Sequence, residues 1–192
     1  MSRRASRKVS NLLLLVLGVF ILTAFPSHSA MSGSEELVGK RLPSFKVSSG
    51  DGKVYDLSMT KGKLTVIFYE SRHSVKKNEP LKELLKIFFL EQPEELRQQV
   101  VRLPVIDCSS AFLPIRHFWK RGLIEHSKIE GLTIYGDWDG KMRRDFGLKD
   151  GDANFMVVDK SGVIRFFTTG KINEDSYDSI KSFLLRLLFA SG

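Results

Sequence analysis

The chain has 192 residues, 42% of them apolar and 27% charged, with a formal net charge of +8. That length suits one ordinary domain plus an extension, and the composition is globular, which excludes a chain too polar to bury a core. A single cysteine, Cys108, excludes an internal disulfide.

The first thirty residues differ from the rest. Arg3, Arg4, Arg7 and Lys8 form a basic stretch, and no acid precedes Glu35. Leu12 to Phe25, LLLLVLGVFILTAF, is a 14-residue apolar run, followed by Pro26 and Ser27-His28-Ser29-Ala30. This is the pattern of a secretory signal peptide over residues 1–30, with cleavage after Ser29 or Ala30. The alternative is an uncleaved anchor, for which the run is short, since a spanning helix needs about 20 apolar residues. Retained, it would keep the basic end in the cytoplasm and the body outside. Ser2-Arg3-Arg4 lacks the apolar residues a twin-arginine signal needs next, and no cysteine marks a lipoprotein cleavage site. Either route makes the body periplasmic or secreted.

Removal of the signal takes away four of the 30 Lys and Arg, leaving 26 against 22 acids, a net of +4. So modest an excess does not imply nucleic acid, although attraction to an anionic membrane face stays open.

Residues 31–36 are a polar linker, and a single domain is expected over 37–190. Phe45 and Val47 alternate with polar neighbours, Gly50-Asp51-Gly52 turns, and Val54, Tyr55 and Leu57 resume. After the turn Thr60-Lys61-Gly62 comes a strand from Leu64 to Tyr69. A helix is predicted from near Ser74 to Leu90, with Leu81, Leu84, Leu85, Phe88 and Phe89 on one face. Pro80 requires that it start late or kink. Pro93 opens a short second helix. Val100 to Asp107 reads as a strand in which Pro104 favours an edge position.

A helix from Pro114 to Lys128 carries Phe118-Trp119 and Leu123-Ile124 on one side. A short strand at Leu132 to Tyr135, a turn at Asp137 to Gly140 and a helix near Met142 to Phe146 follow. Phe155 to Asp159 and Val163 to Phe167 flank the hairpin turn Lys160-Ser161-Gly162, and Asn173 caps a closing helix through Leu188. The order gives an α/β sandwich with a mixed sheet.

Several local signatures carry a resemblance. Gly39-Lys40-Arg41-Leu42-Pro43-Ser44-Phe45 is similar to the Gly-x-x-x-Pro-x-Phe opening of the thioredoxin fold in its redoxin form, the branch of thiol-disulfide reductases and peroxiredoxins. Asp51-Gly52-Lys53 with Leu57 and Gly62-Lys63 resembles the family's first hairpin, and Asp159-Lys160-Ser161-Gly162-Val163-Ile164 its last. Ser74-Val75-Lys76-Lys77-Asn78 and Met156 to Ile164 resemble segments of the YtfJ-like family of small exported bacterial proteins, which has no established activity.

In redox-active relatives the first helix begins with Cys-x-x-Cys or one peroxidatic cysteine, whose thiolate the helix dipole stabilises. The resemblance puts His73-Ser74-Val75-Lys76 at that position and Ala153 where redoxins place a cis-proline. Both parts of the dithiol apparatus are missing, and a trans bond is expected at Ala153. Cys108 ends the strand VVRLPVID and reads either as a reactive thiol or as an inert buried one, with Arg116 lowering and Asp107 raising its pKa.

His73, His117 and His126 lack the spacing of a metal cluster, and the Asp137–Gly140 and Asp150–Asn154 stretches read as turns rather than calcium loops. No metal or other cofactor is expected. Arg72, His73, Lys76 and Lys77 place cations at the expected helix start, where they do not serve stability, and read as an exposed basic turn or as a site for an anion or acidic partner. The expectation is an exported thioredoxin-like binding or accessory protein of the cell envelope. The alternative is a single-cysteine oxidoreductase or peroxidase-like redoxin using Cys108.

Overall fold

Leu64–Glu70 is apolar at almost every position because it is the central strand, and all seven of its residues are buried. The structure, a computed structural model, describes residues 37–190. The expected signal segment and linker lie outside the described residues. In chain order the elements are β1 (Lys46–Ser49), β2 (Val54–Asp56), β3 (Leu64–Glu70), α1 (Glu79–Leu90), α2 (Glu94–Arg97), β4 (Val100–Asp107) and α3 (Ile115–Glu130). Then come β5 (Tyr135–Asp137), α4 (Lys141–Phe146), β6 (Asn154–Val158), β7 (Ile164–Thr169) and α5 (Tyr177–Phe189).

The strands form one seven-stranded sheet in the order β2-β1-β5-β4-β3-β6-β7. The helical crossover through α1 makes β4 parallel to β3, whereas the β6–β7 hairpin is antiparallel. Alternation along the strands splits the core in two. Ile67 and Tyr69 face a layer with Phe45, Leu103, Val105 and Phe146. Val66 and Phe68 face Leu81 and Leu85 of α1 and Ile180 and Leu184 of α5.

Three sequence expectations are corrected. The helix expected from Ser74 begins at Glu79, with Pro80 in its first turn, where a missing N–H costs nothing. Arg72 to Asn78 is instead a run of turns, so the basic residues precede the helix and do not crowd its dipole. Pro104 is not on an edge strand, since β4 lies between β3 and β5. It is tolerated because β5 joins β4 only at Val105–Asp107, leaving no ladder on that side of Pro104 to lose. The strand expected at Leu132–Tyr135 forms later, at Tyr135–Asp137.

The position of α3 decides the shape of the site. A Cβ on Gly50 would lie 2.1 Å from the Lys120 carbonyl oxygen, so only glycine lets the β1–β2 turn approach this helix so closely. Trp138 Nε1 donates to the Ser48 carbonyl at 2.8 Å, and Arg116 of α3 lies over the Trp138 ring at 5.0 Å. Held on the β1 side, α3 leaves a trough between itself and α1.

Candidate functional site

The loop from Ser71 to Asn78, between β3 and α1, is closed by its own hydrogen bonds. Ser74 is fully buried. The Ser71 backbone N–H donates to Ser74 Oγ at 2.9 Å, the Ser74 hydroxyl lies 3.3 Å from the Ser71 carbonyl, and the Ser71 hydroxyl reaches the Gly151 carbonyl at 3.1 Å. Lys77 pairs with Asp152 at 2.6 Å, and Lys149 adds a second cation at 3.0 Å. The Lys77 and Lys149 bonds hold the Asp152 carboxyl down at about 2. Asp152 also accepts from the Ala153 N–H at 2.9 Å. Ala153 is buried, and the only cis peptide among the described residues is Leu113–Pro114.

Asn78 escaped the sequence reading. It is 1% exposed, its amide donates to the Gly170 carbonyl at 3.0 Å, and its side-chain oxygen accepts from the Ile172 N–H at 2.9 Å. This one side chain ties the loop to the connection between β7 and α5. The only signal was an asparagine directly before a Glu-Pro helix start.

Of the four basic residues singled out, Lys77 is consumed by Asp152. Arg72 lies over the Trp119 ring at 5.6 Å. His73 and Lys76 are exposed on the loop. The three histidines sit apart in the chain's elements: His73 on this loop, His117 in the first turn of α3 and His126 in its later half.

Cys108 follows β4 directly and is fully buried. Its N–H donates to the Asp137 carbonyl at 3.0 Å. Burial above all, then Asp107 and Asp137, pushes its thiol up to about 12, against a smaller pull from Arg116. The buried network beside it was not foreseen. The Tyr69 hydroxyl donates to Asp137 Oδ2 at 3.0 Å and the Arg143 N–H to the same oxygen at 3.1 Å. The Arg143 guanidinium joins Asp107 at 2.9 Å and Asp150 at 3.1 Å. Burial raises the Asp137 carboxyl, with the Arg143 and Tyr69 bonds opposing. A thiolate in this setting would face two carboxylates without solvent, which disfavours it as a nucleophile.

The trough between α1 and α3 has a volume of about 910 Å³, within the usual range for small-molecule sites. Its floor is the β3–β4 pair in register, Val66 beside Arg102, Phe68 beside Pro104 and Glu70 beside Ile106. Phe118 and Trp119 line its α3 side. Glu70 is 2% exposed and pairs with Lys82 at 3.2 Å through Oε2. Its Oε1 is buried with no hydrogen-bond partner. Burial lifts the Glu70 carboxyl to about 7, with Lys82 opposing. The trough thus joins an apolar floor to a few polar groups at the end next to the Ser71–Asn78 loop. Among the described residues, no helix is long and apolar enough to cross a membrane.

No family model matches the sequence, and no curated protein matches it either. Solved structures do match. The pneumococcal exposed lipoprotein thioredoxin Etrx1 from Streptococcus pneumoniae is similar at 20% identity, covering 76% of this chain and 100% of its own, with a TM-score of 0.54. BsSco, a member of the Sco family of cytochrome c oxidase assembly proteins, is similar at 13% identity over 82% of this chain and 99% of its own, with a TM-score of 0.54. An uncharacterized conserved protein from Geobacillus kaustophilus reaches a TM-score of 0.59 at 17% identity, over 79% of this chain and 82% of its own. At these identities the likeness speaks for architecture alone: the chain has the thioredoxin-like fold, as its mixed sheet and element order already indicate.

Proposed function

We propose that this chain is an exported, thioredoxin-fold protein of the cell envelope that acts by binding rather than by thiol chemistry, in the manner of the YtfJ-like proteins its sequence resembles. The observation that carries the reading is the segment from His73 to Lys76. The resemblance lays the two ends of the dithiol on His73 and Lys76, neither of which is a cysteine, and between them a fully buried Ser74 is closed onto Ser71. Cys108 gives no ready substitute, because it is buried and its thiol is pushed up to about 12. Export is supported by the Leu12–Phe25 run behind its basic start, and a neighbour in fold is described as an exposed lipoprotein. An anchor facing outward is the alternative localisation. The partner class is a protein or an anionic ligand.

The competing reading is a redoxin that uses Cys108. Insulin-disulfide reduction and peroxide consumption, measured on wild type and Cys108→Ala, separate the two. The binding reading expects background rates in both. Turnover that disappears with Cys108→Ala would establish the redoxin and end the proposal.

A further inference from the structure

Ion pairing along the trough is uneven. Four carboxylates line it, and two lysines take them all: Lys82 pairs with Glu70 and Glu79, and Lys86 with Glu83 and Glu130. Arg72, Lys76 and Arg102 line the same space, and none has a carboxylate within 4.0 Å among the described residues. Arg102 has Glu83 and Glu130 in electrostatic reach, and Arg72 and Lys76 lie at the loop end. Between the two ends the floor is Phe68, Pro104 and Ile106. Glu70 Oε1 lacks a donor at the loop end, on a side chain only 3% exposed. An unsatisfied buried acceptor, two cations without a carboxylate partner (Arg72, stacked on Trp119, and Lys76) and an apolar channel therefore meet in one place, and each points to a different part of one ligand.

We propose that the trough binds a single-chain anionic amphiphile that carries a hydroxyl beside its anionic group. The acyl chain lies over Phe68 and Pro104 against Phe118. The anionic head meets Arg72 and Lys76, and its hydroxyl donates to Glu70 Oε1. A cationic head is disfavoured by Arg72 and Lys76, and an uncharged alkyl chain would leave Glu70 Oε1 without its hydrogen bond. This rests on the binding reading given above and names the ligand for it.

The test is a tryptophan-fluorescence titration of the full-length chain with lauroyl lysophosphatidylglycerol below its micelle concentration. Lauroyl lysophosphatidylcholine, laurate and phosphatidylglycerol vesicles serve as parallel probes. The expected result is a saturable change that Trp119→Phe abolishes. The choline lipid, with the same tail and no net charge, should bind at least about tenfold more weakly. The double substitution Arg72→Glu and Lys76→Glu, at exposed loop positions outside any helix or strand, should weaken binding by at least about tenfold with an unchanged circular-dichroism spectrum. Laurate should fall between the two lysolipids, having the charge without the hydroxyl.

Equal response to the two lysolipids, or an undiminished response of the double variant, overturns the proposal. Laurate binding as tightly as lysophosphatidylglycerol removes the role given to Glu70. A chain that sediments with vesicles but ignores the monomeric lipids has a membrane-contacting surface instead of this site. Silence toward every probe ends the amphiphile alone, whereas Cys108-dependent turnover ends the binding reading whatever the lipids do.

Discussion

Helix α1 has two helical neighbours on one face of the sheet and meets them in opposite ways. Toward α5 it closes a seam in which Leu81 and Leu184 are both fully buried and Leu85 nearly so. Toward α3 it leaves about 910 Å³ open, and the only ion pair bridging the two helices is Lys86–Glu130 at 3.6 Å among the described residues. The difference lies in what each neighbour is attached to. Helix α5 brings Ile180, Leu184 and Leu188 to the same core as Leu85 and Phe89. Helix α3 buries only Leu123 along its length and is fixed to the β1–β2 turn through Gly50. One side of α1 therefore holds the fold together, and the other is left open.

The largest expected effect compares the two sides directly. Leu184→Ala should cost about 2–5 kcal/mol in urea unfolding, because the seam cannot collapse around the void. Phe118→Ala on the trough wall, where the ring is 67% exposed, should stay within about 0.5 kcal/mol. Similar losses for the two would mean that the trough is a packed part of the core.

Next in size is the tie that keeps the Ser71–Asn78 loop shut. Asn78→Ala leaves the Gly170 carbonyl and the Ile172 N–H without their partner, which should cost about 1–3 kcal/mol. Faster amide hydrogen exchange at Ser74 and Ile172 would locate the loss. A variant as stable as wild type would show that the loop is closed by something other than this side chain.

A smaller, pH-dependent effect belongs to Glu70. Its carboxyl is raised from 4.5 to about 7, so between those values the folded chain holds more protons than the unfolded one. Stability contributed by the protonated form is complete below 4.5 and is lost as pH rises through 7. Glu70→Gln removes that dependence. Relative to wild type it should gain about 1–2 kcal/mol between pH 5 and pH 8, read from urea midpoints at each pH. A flat difference across the window would place Glu70 in solvent rather than in the trough floor.

Much of this architecture was legible in the sequence because local chemistry and tertiary context agree. The apolar run at β3 and the Lys160-Ser161-Gly162 hairpin form where the pattern puts them, whereas Asn173 caps a short 3-10 turn over Glu174–Ser176 and the closing helix itself starts after it, at Tyr177. The exceptions have physical causes. The start of α1 was read too early because Ser74 to Asn78 has a composition a helix could accept, whereas Pro80 and the turns before it decide the boundary. Pro104 misled because strand order depends on the short β5, which periodicity does not reveal.

At the candidate site, the absence of cysteine and the basic loop were readable. The trough was not, since it arises from where α3 is held, and that depends on a contact between Gly50 and Lys120, which are far apart in sequence. Asn78 and the Tyr69–Asp137 bond were missed for the same reason, as their partners are remote along the chain.

The most direct test of a binding role without thiol chemistry is the alkylation rate of Cys108 by a maleimide at neutral pH, native against urea-unfolded. A fully buried thiol with its pKa near 12 should react at least about a thousandfold more slowly in the native chain, limited by local opening. A native rate close to that of the unfolded chain would show an accessible, ionisable thiol at the end of β4 and would contradict the account.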